Sequence, residues 1–445
     1  MMYQSTTVIV LVAALLTNTV SSCSAENVYC VTPTATSCSS CPHNNRCATL
    51  SEYAQEAELY FTSNTTMLFL PGHHVLDTNI TVANVARLTM RGGTSLDNRA
   101  TVVRSGSVGL SFTNMVGFKL DSLVFTSYSR NYSIIPNNHL CFTQVALYLQ
   151  STQDAELVNC SFQDNLGTAL RVDNTNITLA GNSEFTHNYI LCGPNYAGGG
   201  GIIAFSSTLT FIGNTTFLNN TVSCSGEGGA IYTLGSTVSF KGINNFINNS
   251  ASGDGGAIST YNTILQFIGT NNFINNSAKF AGAVSAHDTV LNFGGTNSFI
   301  NNSARHSGGA VYTSDSNLSF NGSNNLINSS AHWKGGTTSG PTFNGTNNFI
   351  SNSAGRSGGA IFAKHTALTF TDSGSKNFIN NSAQWNGGAI YAYDYTVLTF
   401  KGTNDFISNS AASGGGAIST YDTILHFSIG SNFFLIASGT IRSSV

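Results

Sequence analysis

The sequence predicts an all-β chain folded as a right-handed parallel β-helix. Each turn of about 27 residues would hold three short strands, with a small disulfide-stapled cap containing one helix at the start. Three observations carry this. The motif Gly-Gly-Ala-Ile and its variants begin at Gly199, Gly228, Gly255, Ala281, Gly308, Gly335, Gly358, Gly387 and Gly415, at intervals of 23 to 29 residues. Between them lie apolar runs of period two, such as Leu265-Gln266-Phe267, and a second Phe opening Phe-x-x-Asn at Phe217, Phe246, Phe273, Phe299, Phe349, Phe378 and Phe406. Runs this short, broken by Gly pairs and Asn-Asn, are strands rather than helices. One such turn cannot bury its own apolar residues, so neighbours must stack, and parallel crossovers are nearly always right-handed.

The elements follow in order. Residues 1–25 read as a signal peptide: Val8–Leu16 is an apolar run too short to span a bilayer, and Cys23-Ser24-Ala25 has the small-x-small pattern of a cleavage site. Cleavage leaves Cys30, Cys38, Cys41, Cys47, Cys141, Cys160, Cys192 and Cys224, an even set suited to disulfides whose pairing the sequence leaves open. Cys38, Cys41, His43 and Cys47 match no common zinc spacing, so neither a metal nor a cofactor is expected. Residues 26–64 form the Cys-rich cap, where Thr49 and Glu52 make a capping box and Leu50, Tyr53, Ala54 and Ala57 share a helical face.

Irregular turns fill 65–197, regular turns 198–438, and 439–445 is a tail. No cap follows the last turn, so a partner or missing segment is expected to cover that end. No further segment is apolar enough for a transmembrane helix. Within the regular turns, Phe246 and its counterparts should stack inward. The Gly pair permits a strained corner, and the Asn after Phe-x-x should pair its amide with that of the next turn.

Function is less sharply written. Charged residues make up 8% and net charge is −3, which gives no electrostatic footprint for nucleic acid. Four or six positions beyond the Gly motifs lie Phe205, Tyr232, Tyr261, His287, Tyr312, Phe362, Tyr391, Tyr393 and Tyr421, all on one side of their strands. If the motif's Ile points inward, these rings form an outward column suited to sugar faces or a protein partner. The carboxylates Glu227, Asp254, Asp288, Asp315, Asp372, Asp394, Asp405 and Asp422 mostly sit at different offsets. Asp288 and Asp315 share one, a pattern more typical of turn formers than of an acid–base pair. No catalytic residue is assigned.

The paired GGA[IV] and Phe-x-x-Asn motifs resemble the repeats of the chlamydial polymorphic membrane proteins, which are surface adhesins. The stretch Phe69–Val82 looks like the first turn of pectin-lyase-like β-helix proteins. The resemblance implies adhesion or recognition of an extracellular glycan or protein. The pectin-lyase likeness implies polysaccharide cleavage as the alternative, although the Asn-Thr-Asp, Gly-His-Gly and Arg-Ile-Lys signatures of polygalacturonases are absent. A purely structural extracellular rod is the third reading. Fifteen Asn-x-Ser/Thr sequons fit a secreted glycoprotein, and Asn64, Asn79, Asn131, Asn176, Asn214 and Asn317, outside the Phe-x-x-Asn motif, are the better acceptors.

Overall fold

The computed structural model describes residues 7–9, 27–34, 47–56, 60–93, 99–105, 108–127, 145–191, 198–223, 225–335, 341–428, 432–437 and 442–444. The chain folds as two compact units, residues 1–193 with 200–216, and 194–199 with 217–445. Each is a parallel β-solenoid of the right-handed type.

In the first unit, face one stacks Asn79–Ala83, Leu110–Thr113, Val145–Gln150, Thr168–Asp173 and Ile202–Phe205. Face two runs from Thr65–Phe69 to Thr208–Phe211, and face three from Gly72–Leu76 to Asn182–Thr186. Burial alternates along strands such as Thr65–Phe69, Asn79–Ala83 and Leu110–Thr113. Thr7–Ile9, within the expected signal segment, pair in parallel with Asn79–Thr81.

The helix is shorter than expected, Leu50–Gln55, because Glu56 already leaves helical geometry. Its capping box is present: the Thr49 and Glu52 side chains each accept from the other's backbone N–H, and Leu50, Tyr53 and Ala54 are buried. Ala57 lies outside the described residues. Cys30 and Cys47 face one another in parallel strands. Cys160 departs from the disulfide expectation. It is a fully buried thiol donating to the carbonyls of Val158 (3.3 Å) and Leu120 (3.5 Å), and burial pushes its pKa up to about 12. Cys38, Cys41, Cys141, Cys192 and Cys224 lie outside the described residues.

In the second unit the three expected faces recur, for example Ile258–Tyr261, Ile264–Phe267 and Thr270–Ile274. The turn holds a fourth pairing that three strands per turn did not anticipate: the two residues after the Phe-x-x-Asn asparagine, Ser250-Ala251, Ser277-Ala278, Ser303-Ala304 and onward. Their small side chains bring this segment against the Gly corner, where a Cβ on Gly229 would stand 2.7 Å from Ser250 N and 2.2 Å from Gly256 O. The preceding glycine is left-handed, with φ from 62° to 73° at Gly228, Gly255, Gly308, Gly358 and Gly387, and Ala281 takes the same conformation in the one turn that lacks it. The expected tail is partly strand, Arg442–Ser444 pairing with Ser419–Tyr421.

The interior is two columns of rings and two of amides. Phe240, Phe267, Phe293, Phe320, Phe343, Phe370 and Phe400 stack at 4.9–5.0 Å along face two. Phe217, Phe246, Phe273 and Phe299 stack at 4.7–4.9 Å along face three. Asn249 donates its amide to Asn276 (3.1 Å), and Asn276 to Asn302 (3.0 Å). A second buried ladder, Asn244, Asn271, Asn297, Asn324 and Asn347, runs beside it. The amides of Asn244, Asn249, Asn271, Asn276, Asn297 and Asn324 thus each meet an acceptor in the neighbouring turn, which is what makes so much buried Asn tolerable.

Candidate functional site

The motif's aliphatic residue points inward: Ile231, Ile258, Val284, Val311, Ile361, Ile390 and Ile418 are at most 2% exposed. Because side chains alternate along a strand, the aromatic positions one residue either side of the buried Thr or Ala lie on the outer side of face one. Register aligns them in two adjacent columns. Tyr232, Ser259, Ser285 and Tyr312 form one, and Leu234, Tyr261, His287 and Ser314 the other.

These rings pack on one another more than on solvent. Tyr261 and His287 stack at 4.7 Å, and Tyr312 lies 5.9 Å from His287. Tyr232 is only 8% exposed, 6.0 Å from Tyr261, so it is not the open platform its offset implied. Nor is Phe362, 2% exposed under the Lys334 ammonium 4.4 Å from its ring and flanked by Tyr391 and Tyr393. Tyr391 and Tyr393 stack at 5.7 Å, and Tyr421 is 58% exposed. In the first unit, Phe205 is half-buried with the Arg171 guanidinium over its ring, and Arg171 pairs with Asp173 at 2.8 Å.

A polar cluster occupies the same face. Glu227 accepts from the hydroxyls of Ser259 (3.0 Å) and Tyr261 (3.1 Å), and Asp254 lies 3.2 Å from His287 Nε2. Burial holds the Glu227 carboxyl above its usual range, against the Tyr261 hydroxyl, and the neighbouring Asp254 carboxylate adds to the rise. Burial likewise pushes the Tyr232 hydroxyl up to about 12. Glu227 and Asp254 each stand one residue before a Gly motif, a shared offset the sequence reading missed, and the stack brings them together in neighbouring turns. Asp288, Asp315, Asp394 and Asp422 instead take left-handed φ of 49° to 61° after their strands, the geometry of turn formers.

The sequence reading missed a second outer column in this unit, at the corner between the two-residue strand and the Gly pair. Phe280 and His306 stack at 5.0 Å, His306 and Trp333 at 4.8 Å. The Arg356 guanidinium lies 4.4 Å from the Trp333 ring and 5.2 Å from Trp385. Trp333 and Trp385 are 39% and 53% exposed. His306, Trp333, Arg356 and Trp385 all stand two residues before their Gly motifs, so a count backwards from the motif would have found them.

Among the sequons, Asn176, Asn214 and Asn317 are exposed, Asn64 and Asn79 half-exposed, and Asn131 lies outside the described residues. Among the described residues no helix is long and apolar enough to cross a membrane, which leaves β-barrel spans unaddressed.

Five segments, 208–234, 245–261, 298–314, 377–393 and 405–421, match the Chlamydia polymorphic membrane protein repeat. No curated protein matches the chain. The chain is similar to a periplasmic alginate epimerase, at 9% identity over 87% of this chain and 83% of that one, TM-score 0.35. It is similar to a DFA-IIIase from Arthrobacter chlorophenolicus, at 9% identity, 90% and 95% coverage, TM-score 0.36. A third similar structure is PfbA, a surface adhesin of Streptococcus pneumoniae, at 10% identity, 89% and 91% coverage, TM-score 0.34.

Proposed function

We propose that this chain, a parallel β-helix carrying polymorphic membrane protein repeats, is a secreted or cell-surface glycoprotein that recognises an extracellular glycan or protein without cleaving it. The observation that supports this most is the repetition of rings at fixed outer positions turn after turn, Tyr261, His287 and Tyr312 on the face and Trp333 and Trp385 at the corner. Core packing demands only inward residues at a fixed offset; an outer ring at a fixed offset has no such demand behind it. The exposed sequons at Asn176, Asn214 and Asn317 suit the same extracellular setting.

The Glu227–Asp254–Tyr261–His287 cluster favours polysaccharide cleavage as a second reading, since a carboxyl whose pKa is raised by burial beside a second carboxylate is the raw material of acid–base chemistry. Recognition is preferred because both Glu227 oxygens are taken by hydroxyls and Asp254 is engaged by His287, a closed network. The test is to incubate the secreted chain with acidic and neutral polysaccharides and record retention and new chain ends together. Retention without new ends supports recognition. New ends that disappear in Glu227→Gln would replace it with the enzymatic reading.

A further inference from the structure

We infer that the corner strip from Lys279 to Trp385 is a binding site for an acidic polysaccharide, a chain of sugars bearing carboxylate or sulfate groups; this rests on the recognition reading above and names its ligand class. The strip's outer positions are occupied by two kinds of side chain, flat rings and cations. Phe280, His306, Trp333, Arg356 and Trp385 form one continuous ladder at 4.4–5.2 Å per step. Lys279 and Arg305 flank its start, both exposed, and Lys334 its middle. Between residues 279 and 386 the chain has six Lys and Arg, and four of them, Lys279, Arg305, Lys334 and Arg356, lie at this corner.

The acidic residues of the same stretch are elsewhere. Asp288 and Asp315 stand at the turn after face one, and Asp372 in the loop between faces two and three. In a chain with 8% charged residues and net charge −3, four cations gathered at one corner, with Asp254 beside Phe280 as the carboxylate bordering its start, form a local field opposite in sign to the whole.

The chemistry of the two groups selects the ligand. Trp and His faces stack on the apolar faces of pyranose rings, which accounts for exposed rings but not for cations. A guanidinium held between two indole rings at 4.4 and 5.2 Å keeps N–H groups for a ligand, and these pair with carboxylate or sulfate in a forked geometry. A neutral glycan would leave Lys279, Arg305 and Arg356 without an anionic partner, Lys334 being engaged over the Phe362 ring. A nucleic acid would bring dense charge to a molecule whose remaining surface is neutral to acidic, and its affinity depends on many phosphate contacts. An acidic polysaccharide uses both components: ring faces on Trp333 and Trp385, anionic groups on Arg356 and its neighbours.

The chain's only two tryptophans, Trp333 and Trp385, are both in the strip, so intrinsic fluorescence reports it without a label. The full secreted chain is titrated with polygalacturonate, heparin, dextran and polyuridylate at low and physiological salt. The inference expects a saturable fluorescence change with polygalacturonate or heparin, weakened by salt, and none with dextran. Trp385→Ala or Arg356→Ala should weaken binding roughly tenfold, the scale of one lost ring or cation contact. Arg356→Lys keeps the charge and should fall between, and an unchanged urea midpoint checks that each variant is folded. Polyuridylate binding as tight as the acidic glycans overturns the inference in favour of a nucleic acid. Acidic-glycan binding untouched by both Ala variants overturns the strip while leaving recognition standing. Retention of only neutral glycans overturns the acidic ligand, and no binding to any polymer removes the glycan reading with it.

Discussion

At the scale of single residues, the inner amides decide stability. Asn276 accepts from Asn249 Nδ2 (3.1 Å) and from its backbone N–H (2.9 Å), and donates to the Phe246 carbonyl (2.9 Å), with 0% exposure. Asn276→Ala orphans two buried donors and should lower stability by about 2 kcal/mol or more. Asn272, on the outer side with a single bond to Asn245, should lose only about 0.5–1 kcal/mol on the same change. Urea midpoints of the two variants measure the difference.

Lys376 breaks the second ladder. It occupies the register position of Asn347 and Asn404, its Nζ donating to the carbonyls of Thr371 (2.5 Å) and Ser373 (2.6 Å), while Asn404 Oδ1 is left without a partner. Burial lowers its pKa from the usual 10.5 to about 8. The unfolded chain therefore binds this proton more tightly, so stability should rise as pH climbs from about 8 to about 10.5, with the penalty fully present below pH 8. Lys376→Asn should remove that increment from the pH dependence of the urea midpoint; an unaltered profile would contradict the assignment.

The inner ladder of Phe-x-x-Asn asparagines was legible in the sequence because one offset repeats through so many turns. The ladder two residues before each Phe was not, since Asn244 and Asn245 look alike as text and only strand alternation sends one inward and the other out.

At the scale of the element, one turn is built less well than its neighbours. Leu326 stands where Phe299 and Phe349 stand above and below it, Ser329 where Asn302 and Asn352 do, and the Gly335 motif reads Gly-Gly-Thr-Thr. A cavity of about 20 Å³ lined by Phe320, Leu326, Phe343 and Phe349 opens there. The amide ladder also stops: Ser329 N donates to Asn352, but its hydroxyl turns back to the Ile327 carbonyl. Leu326→Phe should fill the gap, complete the ring column and raise stability by about 1 kcal/mol. A lower urea midpoint would mean the gap is too small to accept the ring.

Elements were the most readable level overall, since period two and the Gly pair fix strand and corner locally. The two-residue Ser-Ala strand escaped because two residues carry no periodicity. Cys160 escaped because an even cysteine count says nothing of a thiol buried at the corner between Ala155–Val158 and Ser161–Gln163.

At the scale of the molecule, the same register does two jobs. On the inner side it superimposes Phe on Phe and Asn on Asn, which any repeat of this type needs. On the outer side it superimposes whatever each turn places at a given offset, and here that is Tyr and His on the face, Trp and Arg at the corner. The outer face was partly legible, because counting forward from the Gly motif finds its rings. Their mutual burial was not, since the distance between Phe362 and Lys334 depends on neighbouring turns.

The division between an inner side for stability and an outer side for recognition is the central claim, and pairing two variants tests it most directly. Retention on an immobilised acidic polysaccharide and the urea midpoint are measured for Trp385→Ala and Asn276→Ala under conditions where both are folded. The account predicts that Trp385→Ala loses retention at an unchanged midpoint, while Asn276→Ala keeps retention at a lowered one. Full retention by Trp385→Ala, with loss in folded Asn276→Ala, would contradict it.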